Sequence, residues 1–334
     1  MEIMKKFLLK TLLLIFISVN SIFGMYGKSS DWIDFLTDGN QLRVRLDHLG
    51  FILGNDTIKW TFGLNNEGKN FGTIARVGRY NEESSNYDYG EFNSTISVGL
   101  GYVSPLISAG FGYNLNLSVL FKDKNGNTNI TFTHTPVFTI NALNNNLRIA
   151  IPIQIYSYKN LPADNTKYSS EIINTEIQLR YYTDIEAFNQ LRLYIQYGYK
   201  NAGFELRTYF GFALEEVILN PLLKFKYNQS LFGRGGGERV FENPYNIDII
   251  PALGLIANSD IISIYLEPSL GLKIKSDNNK NINYSLGYGV YGEVYITPIK
   301  NLELYLEMEL GNGDNNTDNY LKFNASTGIT WYLS

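Results

Sequence analysis

Cysteine is absent from all 334 residues, which excludes a disulfide scaffold, thiolate-bound zinc, iron–sulfur centres and thiol catalysis. Histidine occurs twice, so imidazole chemistry has only His48 and His134 to draw on. Charge is scarce as well: 18% of residues are Asp, Glu, Lys or Arg, against about a quarter in ordinary globular proteins. The formal net charge of −4 offers nucleic acid no basic footprint. Past the N-terminus no stretch of about 18 apolar residues occurs, so no helix is expected to cross a bilayer. What abounds is aromatic or small: 25 Tyr, 20 Phe and 30 Gly, too rich in aromatics for disorder.

The first residues carry an export pattern. Lys5, Lys6 and Lys10 flank Phe7-Leu8-Leu9, an apolar run extends from Leu12 to Val19, and small residues follow at Ser21 and Gly24. A basic start, a short apolar stretch and a small-residue cleavage point predict a signal peptide over residues 1–24. The apolar run is too short and too interrupted for a membrane anchor, which needs about 20 residues. Residues 25–41 are then expected as an N-terminal periplasmic segment, and 42–334 as the folded body.

That body alternates with a period of two. Ile107, Ala109, Phe111, Tyr113, Leu115, Leu117, Val119 and Phe121 are interleaved with Ser108, Gly110, Gly112, Asn114, Asn116 and Ser118. Successive side chains of a strand point to opposite faces, so this run has one apolar and one small, polar face. At about 3.3 Å per residue it would span about 50 Å, far beyond the usual strand. Leu147 to Ile155, Leu191 to Tyr199 and Leu302 to Leu310 repeat the pattern. In the last of these a helix would scatter the glutamates around its circumference, whereas a strand puts them on one face.

Asn/Gly/Asp clusters such as Asp123 to Asn127, Ser276 to Asn281 and Asn312 to Asp318 divide the strands. The chain reads as about sixteen strands (14–16), the first three starting near residues 42, 57 and 71. Long polar links (Asn81 to Glu91, Lys159 to Ser170, Gln229 to Asn246, Asn312 to Asn319) mostly follow odd strands, and short ones follow even strands. Thr183 to Gln190 reads as an exception, long for a turn, and Asn201-Ala202 as another, short for a loop. Gly233 to Gly237 reads as a flexible surface loop. Outer-membrane barrels have this asymmetry, with long extracellular loops and short periplasmic turns. Sixteen strands enclose a lumen too wide for their own side chains to fill, so the apolar register is expected to face lipid and the polar one water. The fold class expected is therefore all-β: a single antiparallel transmembrane barrel, closed because hydrocarbon tolerates no unpaired sheet edge.

The C-terminal run Ser326-Thr-Gly328-Ile-Thr-Trp331-Tyr-Leu333 resembles the terminal strand by which bacterial outer-membrane barrels engage the barrel-assembly machinery, with Gly328, Trp331 and Leu333 in the signal positions. Ser334 departs from the aromatic last residue that is commoner there. Near the cleavage point, Gly24-Met-Tyr-Gly-Lys-Ser-Ser-Asp31-Trp-Ile-Asp-Phe-Leu-Thr-Asp-Gly-Asn40 with Leu49-Gly-Phe-Ile-Leu-Gly-Asn-Asp-Thr-Ile58 resembles the variable surface protein family of spirochaete outer membranes. The likeness covers about 40 residues by these motifs; beyond them it rests on alternation, length and Asn/Tyr-rich composition. It implies an abundant, antigenically variable surface protein and brings no catalytic residues.

No enzyme is expected: acyl-transfer motifs of the G-x-S-x-G type are missing, and His134, in the register of Ile130, Phe132 and Phe138, faces lipid or an interface. No metal or cofactor is expected either. Candidate pore-lining groups are Arg180, Arg192 and Arg207 on three successive strands, and Glu293, Glu303, Glu307 and Glu309 on two later ones. A basic wall opposed to an acidic one would set a transverse field across the lumen. Two functions compete: a pore for small hydrophilic solutes, and a non-conducting display barrel or adhesin contacting host surface factors. A third is a hydrophobic-ligand transporter with an N-terminal plug, suggested by Asp31-Trp-Ile-Asp-Phe-Leu36. Expected partners are outer-membrane lipid, the assembly machinery, host factors and further copies of the chain, with no nucleic acid.

Overall fold

A computed structural model describes residues 26, 29–45, 48–65, 75–76, 80–81, 86–87, 90–121, 128–161, 169–185, 187–198, 201–214, 217–231, 244–277, 281–312 and 321–333. The expected signal peptide, the link at Gly233 to Gly237 and most of the other long links lie outside them. Besides a small hairpin of Tyr80–Asn81 with Asn86–Tyr87, sixteen strands form the barrel in chain order: β1 Gln41–Arg45, β2 His48–Gly54, β3 Ile58–Asn65, β4 Gly90–Tyr102, β5 Ile107–Phe121, β6 Thr128–Ala142, β7 Leu147–Leu161 and β8 Ser169–Ile185. The second half is β9 Phe188–Gly198, β10 Asn201–Phe210, β11 Val217–Ser230, β12 Tyr245–Asn258, β13 Ile262–Ser276, β14 Ile282–Ile299, β15 Leu302–Asn312 and β16 Leu321–Tyr332. Ala75–Arg76 prolongs β3 along β4, and Phe212–Leu214 prolongs β10 along β11. Each strand pairs antiparallel with the next, and β1 pairs with β16 from Gln41↔Tyr332 to Arg45↔Gly328, closing the barrel.

The strand number agrees with the sequence reading, but its first strands do not. Residues 41–54, read as one strand, form two, β1 and β2, paired as a hairpin. Arg45-Leu46-Asp47-His48 carries no Gly, Pro or Asn to mark the break. The separate strand expected near residue 71 falls in 66–74, outside the described residues, and Ala75–Arg76 continues β3. Thr183 to Gln190 is mostly strand rather than a long turn, since β8 ends at Ile185 and β9 starts at Phe188. Every link after an even strand is then short. The 143–146 and 300–301 turns place Asn144, Asn145 and Asn301 at positive φ, a region Asn tolerates better than most residues.

Exposure identifies the solvent on each face. Leu100 (62%), Leu270 (56%) and Tyr284 (67%) stand outward, as do Ile96, Val98, Phe111, Phe138 and dozens of other large apolar side chains around the barrel. Ser97, Asn114, Thr139, Asn141 and Gln178, in the other register, are buried. In water that arrangement would be inverted; a lipid solvent outside explains it.

Candidate functional site: the barrel lumen

The inner face carries the chemistry, and its largest apolar patch belongs to the N-terminus. Ser29–Asp34 forms two turns of 3-10 helix, continued by Asp38 N–H donating to the Asp34 carbonyl at 2.9 Å. So short a helix does not hold itself in water. It is held by docking: Tyr26, Trp32, Phe35 and Leu36 are buried in one cluster with Ile52 and Val137 of the inner wall, and the three rings pack at centroid distances of 5.0 to 5.5 Å. Glycines make the room. Gly99 pairs with Gly112 and Gly101 with Gly110 across β4 and β5. A Cβ at Gly99 or Gly112 would lie 2.6 or 2.4 Å from the Trp32 ring, and one at Gly101 would lie 2.6 Å from Leu36.

Polar contacts fix the position. Trp32 Nε1–H donates to Asn114 Oδ1 at 3.1 Å, and Asn114 Nδ2 donates to the Tyr26 carbonyl at 2.9 Å. Lys59 Nζ donates to the Leu36 carbonyl at 3.0 Å. Asp34 accepts from Arg148 and Arg180, each at 2.8 Å. The segment expected in the periplasm thus sits in the lumen against β2 to β8. The reason is physical: four large apolar side chains, each worth about 1.5–3 kcal/mol on burial, find a shelf cut to their shape. Burial raises the pKa of Asp38 from its ordinary value, and Tyr26 O–H donates to it at 2.6 Å. Protonation of Asp38 therefore favours the docked segment as pH falls.

The three arginines expected together are together. Arg180 stands opposite Arg192, and Arg192 opposite Arg207. The row is longer than the sequence reading gave: Arg148 stands opposite Arg180, and Lys224 opposite Arg207. Arg207 pairs with Glu205 and Lys224 with Glu267. Arg192 donates Nε–H to Gln190 Oε1 at 2.8 Å and lies 4.6 Å from the Tyr209 ring centroid. Arg148, Lys224 and Glu267 obey the same alternation, but which residues align across strands depends on barrel shear, which one sequence does not reveal.

The glutamates gather on β13 to β15. Glu293 stands directly opposite Glu307, and like charges so placed repel. Tyrosines relieve this: Tyr291 O–H donates to Glu293 and, at 2.9 Å, to Glu307, while Tyr305 donates to Glu307 and Tyr295 to Glu293 at 3.2 Å. Glu309 lies opposite Tyr291, and Glu303 accepts from Tyr332 at 3.3 Å near the rim. The two charge groups occupy separate sectors that meet at Lys224–Glu267.

The C-terminal signal residues lie at the closing seam. Gly328 sits between Tyr305 of β15 and Arg45 of β1. A Cβ there would lie 2.4 Å from Arg45 Cγ. Its absence lets the guanidinium cover the Tyr305 ring, 3.8 Å from its centroid. Trp331 faces outward, half exposed, and Leu333 N–H donates to the Asn40 carbonyl at 2.8 Å. His134 lies outward too, its Nδ1 2.6 Å from the Tyr113 hydroxyl.

A closed antiparallel barrel with an apolar outer band and a charged inner wall is a transmembrane barrel of the bacterial outer-membrane type. A family model described as Serpulina hyodysenteriae variable surface protein matches residues 5–240 and 230–332. The chain belongs to the variable surface protein family and is an outer-membrane surface protein. No curated protein matches it. Among solved structures, a bacterial polysaccharide outer membrane secretin resembles it at a TM-score of 0.52 and 12% identity, over 88% of this chain and 98% of that one. CdiB from Acinetobacter baumannii follows at 0.48 and 10% identity, over 88% of this chain and 60% of that one. The translocator domain of autotransporter NalP from Neisseria meningitidis scores 0.35 at 9% identity, over 91% and 92%. The first of these shares the fold; the other two add nothing to it.

Proposed function

We propose that this barrel is an antigenically variable major surface protein whose long links face the host, and whose lumen passes small hydrophilic solutes beside the N-terminal segment. One observation carries the pore: the segment's contacts lie on β2 to β8, and the charged wall from β9 to β15 is left to water. A ring of sixteen strands is wide enough for an aqueous channel, and a short segment on one side narrows it without filling it. With the long links outside, both ends of the folded chain, at Gln41 and Leu333, lie on the periplasmic side, as in other barrels with short periplasmic turns.

The competing reading, a non-conducting display barrel contacting host factors, draws on the docking of Asp34 to Arg148 and Arg180, which anchors a plug. Single-channel recording on the full-length protein refolded into a planar bilayer separates the two. Stepwise currents are expected. Insertion without any step would leave display as the function.

A further inference from the structure

The basic row does not end at Lys224. Two residues on along β11, Lys226 stands opposite Asp248 of β12, which stands opposite Lys273 of β13. Beyond that rung, Asn228, Asn246 and Lys275 align. These side chains line one cavity of about 160 Å³, several times the about 30 Å³ that a liquid water occupies. Arg148 is the second residue of β7, next to a short turn, and Lys275 is the last but one of β13, next to a link of the other side. Arg148, Arg180, Arg192, Arg207 and Lys224, then Lys226, Lys273 and Lys275, therefore make a basic track from one mouth of the lumen to the other. Neighbouring rungs are about 5 Å apart at Cβ, close enough for one small polyanion to touch two.

The carboxylates within this track do not balance it. Asp34, Glu205, Glu267, Asp248 and Glu176, with Glu309 in one cavity with Lys224 and Lys273, stand against eight cations, and Glu176 is already held by the amides of Gln178 and Gln196. Like charges in direct register repel, so the row is stable only with anions among its members. At the inner end an anion is present: the Asp34 carboxylate bridges Arg148 and Arg180. One rung further, the partners of Arg192 among the described residues are neutral, a glutamine oxygen and a tyrosine ring. Beside it two buried donors, Arg180 Nε and Gln190 Nε2, find no acceptor among the described residues, and Gln190 is only 6% exposed. Buried donors without acceptors are costly, and an anion seated beside Arg192 would supply the acceptor they lack.

We propose that the lumen binds small polyanions of the phosphate or polycarboxylate type along this track, with the Arg180–Arg192 rung and Gln190, two residues before Arg192, as its tightest point and Asp34 as a resident competitor at the inner end. The proposal rests on the water-accessible lumen argued above. Guanidinium groups suit it, since they grip phosphate and carboxylate oxygens in pairs.

The probe is inorganic pyrophosphate, titrated calorimetrically into the full-length protein refolded in detergent, with the same protein recorded in bilayers. Saturable binding is expected. Arg192→Gln is expected to weaken it about tenfold or more, as the loss of a charge-assisted contact of about 1.5–3 kcal/mol requires. Arg192→Lys should retain most of it, and Asp34→Asn should tighten it severalfold by removing the competitor. Absence of saturable binding, or affinity that Arg192→Gln leaves unchanged, overturns the proposal. Should Arg192→Gln fail to refold, as judged by lost strand circular dichroism, Arg207→Gln makes the same test. Pyrophosphate binding with Arg192 dependence but no current would sink the pore and keep the track. Current with no pyrophosphate binding would do the reverse.

Discussion

Trp32→Ala is expected to release the N-terminal segment from the barrel wall while leaving the barrel itself folded. Trp32 is fully buried, its ring lies on Gly99 and Gly112, and its indole N–H is satisfied by Asn114. Truncating a buried tryptophan costs about 3–5 kcal/mol, and the segment has no helix of useful length to hold it in place. Hydrogen exchange at the Phe35 and Asp38 amides, which donate to Trp32 and Asp34 carbonyls, reads the docking directly. Protection there should fall by roughly two to three powers of ten, with amides of β13 and β14 unaffected. Gly112→Val should act similarly from the other side, because its Cβ would occupy the ring's place. Unchanged protection in both variants would mean that the aromatic cluster does not hold the segment.

Leu270→Arg is expected to destabilise the folded barrel in lipid by about 2–4 kcal/mol, the cost of a cation facing the bilayer midplane. Ser269→Arg, one residue away, should stay within about 0.5 kcal/mol. Leu270 lies mid-strand in β13 and points outward, whereas Ser269 points inward and donates to the Gly289 carbonyl at 3.2 Å. The comparison holds chemistry and depth nearly constant and changes only the face. Urea titration of the protein in lipid vesicles measures both. Equal costs in the two registers would deny that the faces meet different solvents.

The barrel was legible because its signal is local. Alternation in Ile107 to Phe121 or Leu302 to Leu310 fixes both the strand and its two faces, and the polarity of the links fixes their sides. Where local signals fail, so did the reading. Arg45-Leu46-Asp47-His48 contains no Gly, Pro or Asn, so 41–54 looks like one strand in sequence although β1 and β2 pair antiparallel. The lumen was legible in part. Arg180, Arg192 and Arg207 share a register with the residues around them and were found together. Arg148, Lys224 and Glu267 follow the same rule, but their place in the row is a matter of cross-strand alignment. The docking of Trp32, Phe35 and Leu36 depends on Gly99, Gly101, Gly110 and Gly112, which in sequence are indistinguishable from the small residues of any luminal face. Only the apolar content of Asp31 to Leu36, odd for a segment in water, hinted at a plug.

The absence of cysteine makes the most direct test of the lipid-outside, water-inside barrel simple. Single cysteines placed from Leu302 to Asn312 of β15, in protein reconstituted in lipid vesicles, are exposed to a charged, membrane-impermeant thiol reagent. Positions 303, 307 and 309, which face the lumen, should react, and positions 304, 306, 308 and 310, which face lipid, should not. A second set along β5 should show reaction at Asn116 and Ser118, which share the luminal register, and protection at Leu115 and Leu117, which face lipid. Reactivity that follows a period of two with this phase is what the structure requires. Uniform reactivity, a helical period, or the opposite phase would contradict it.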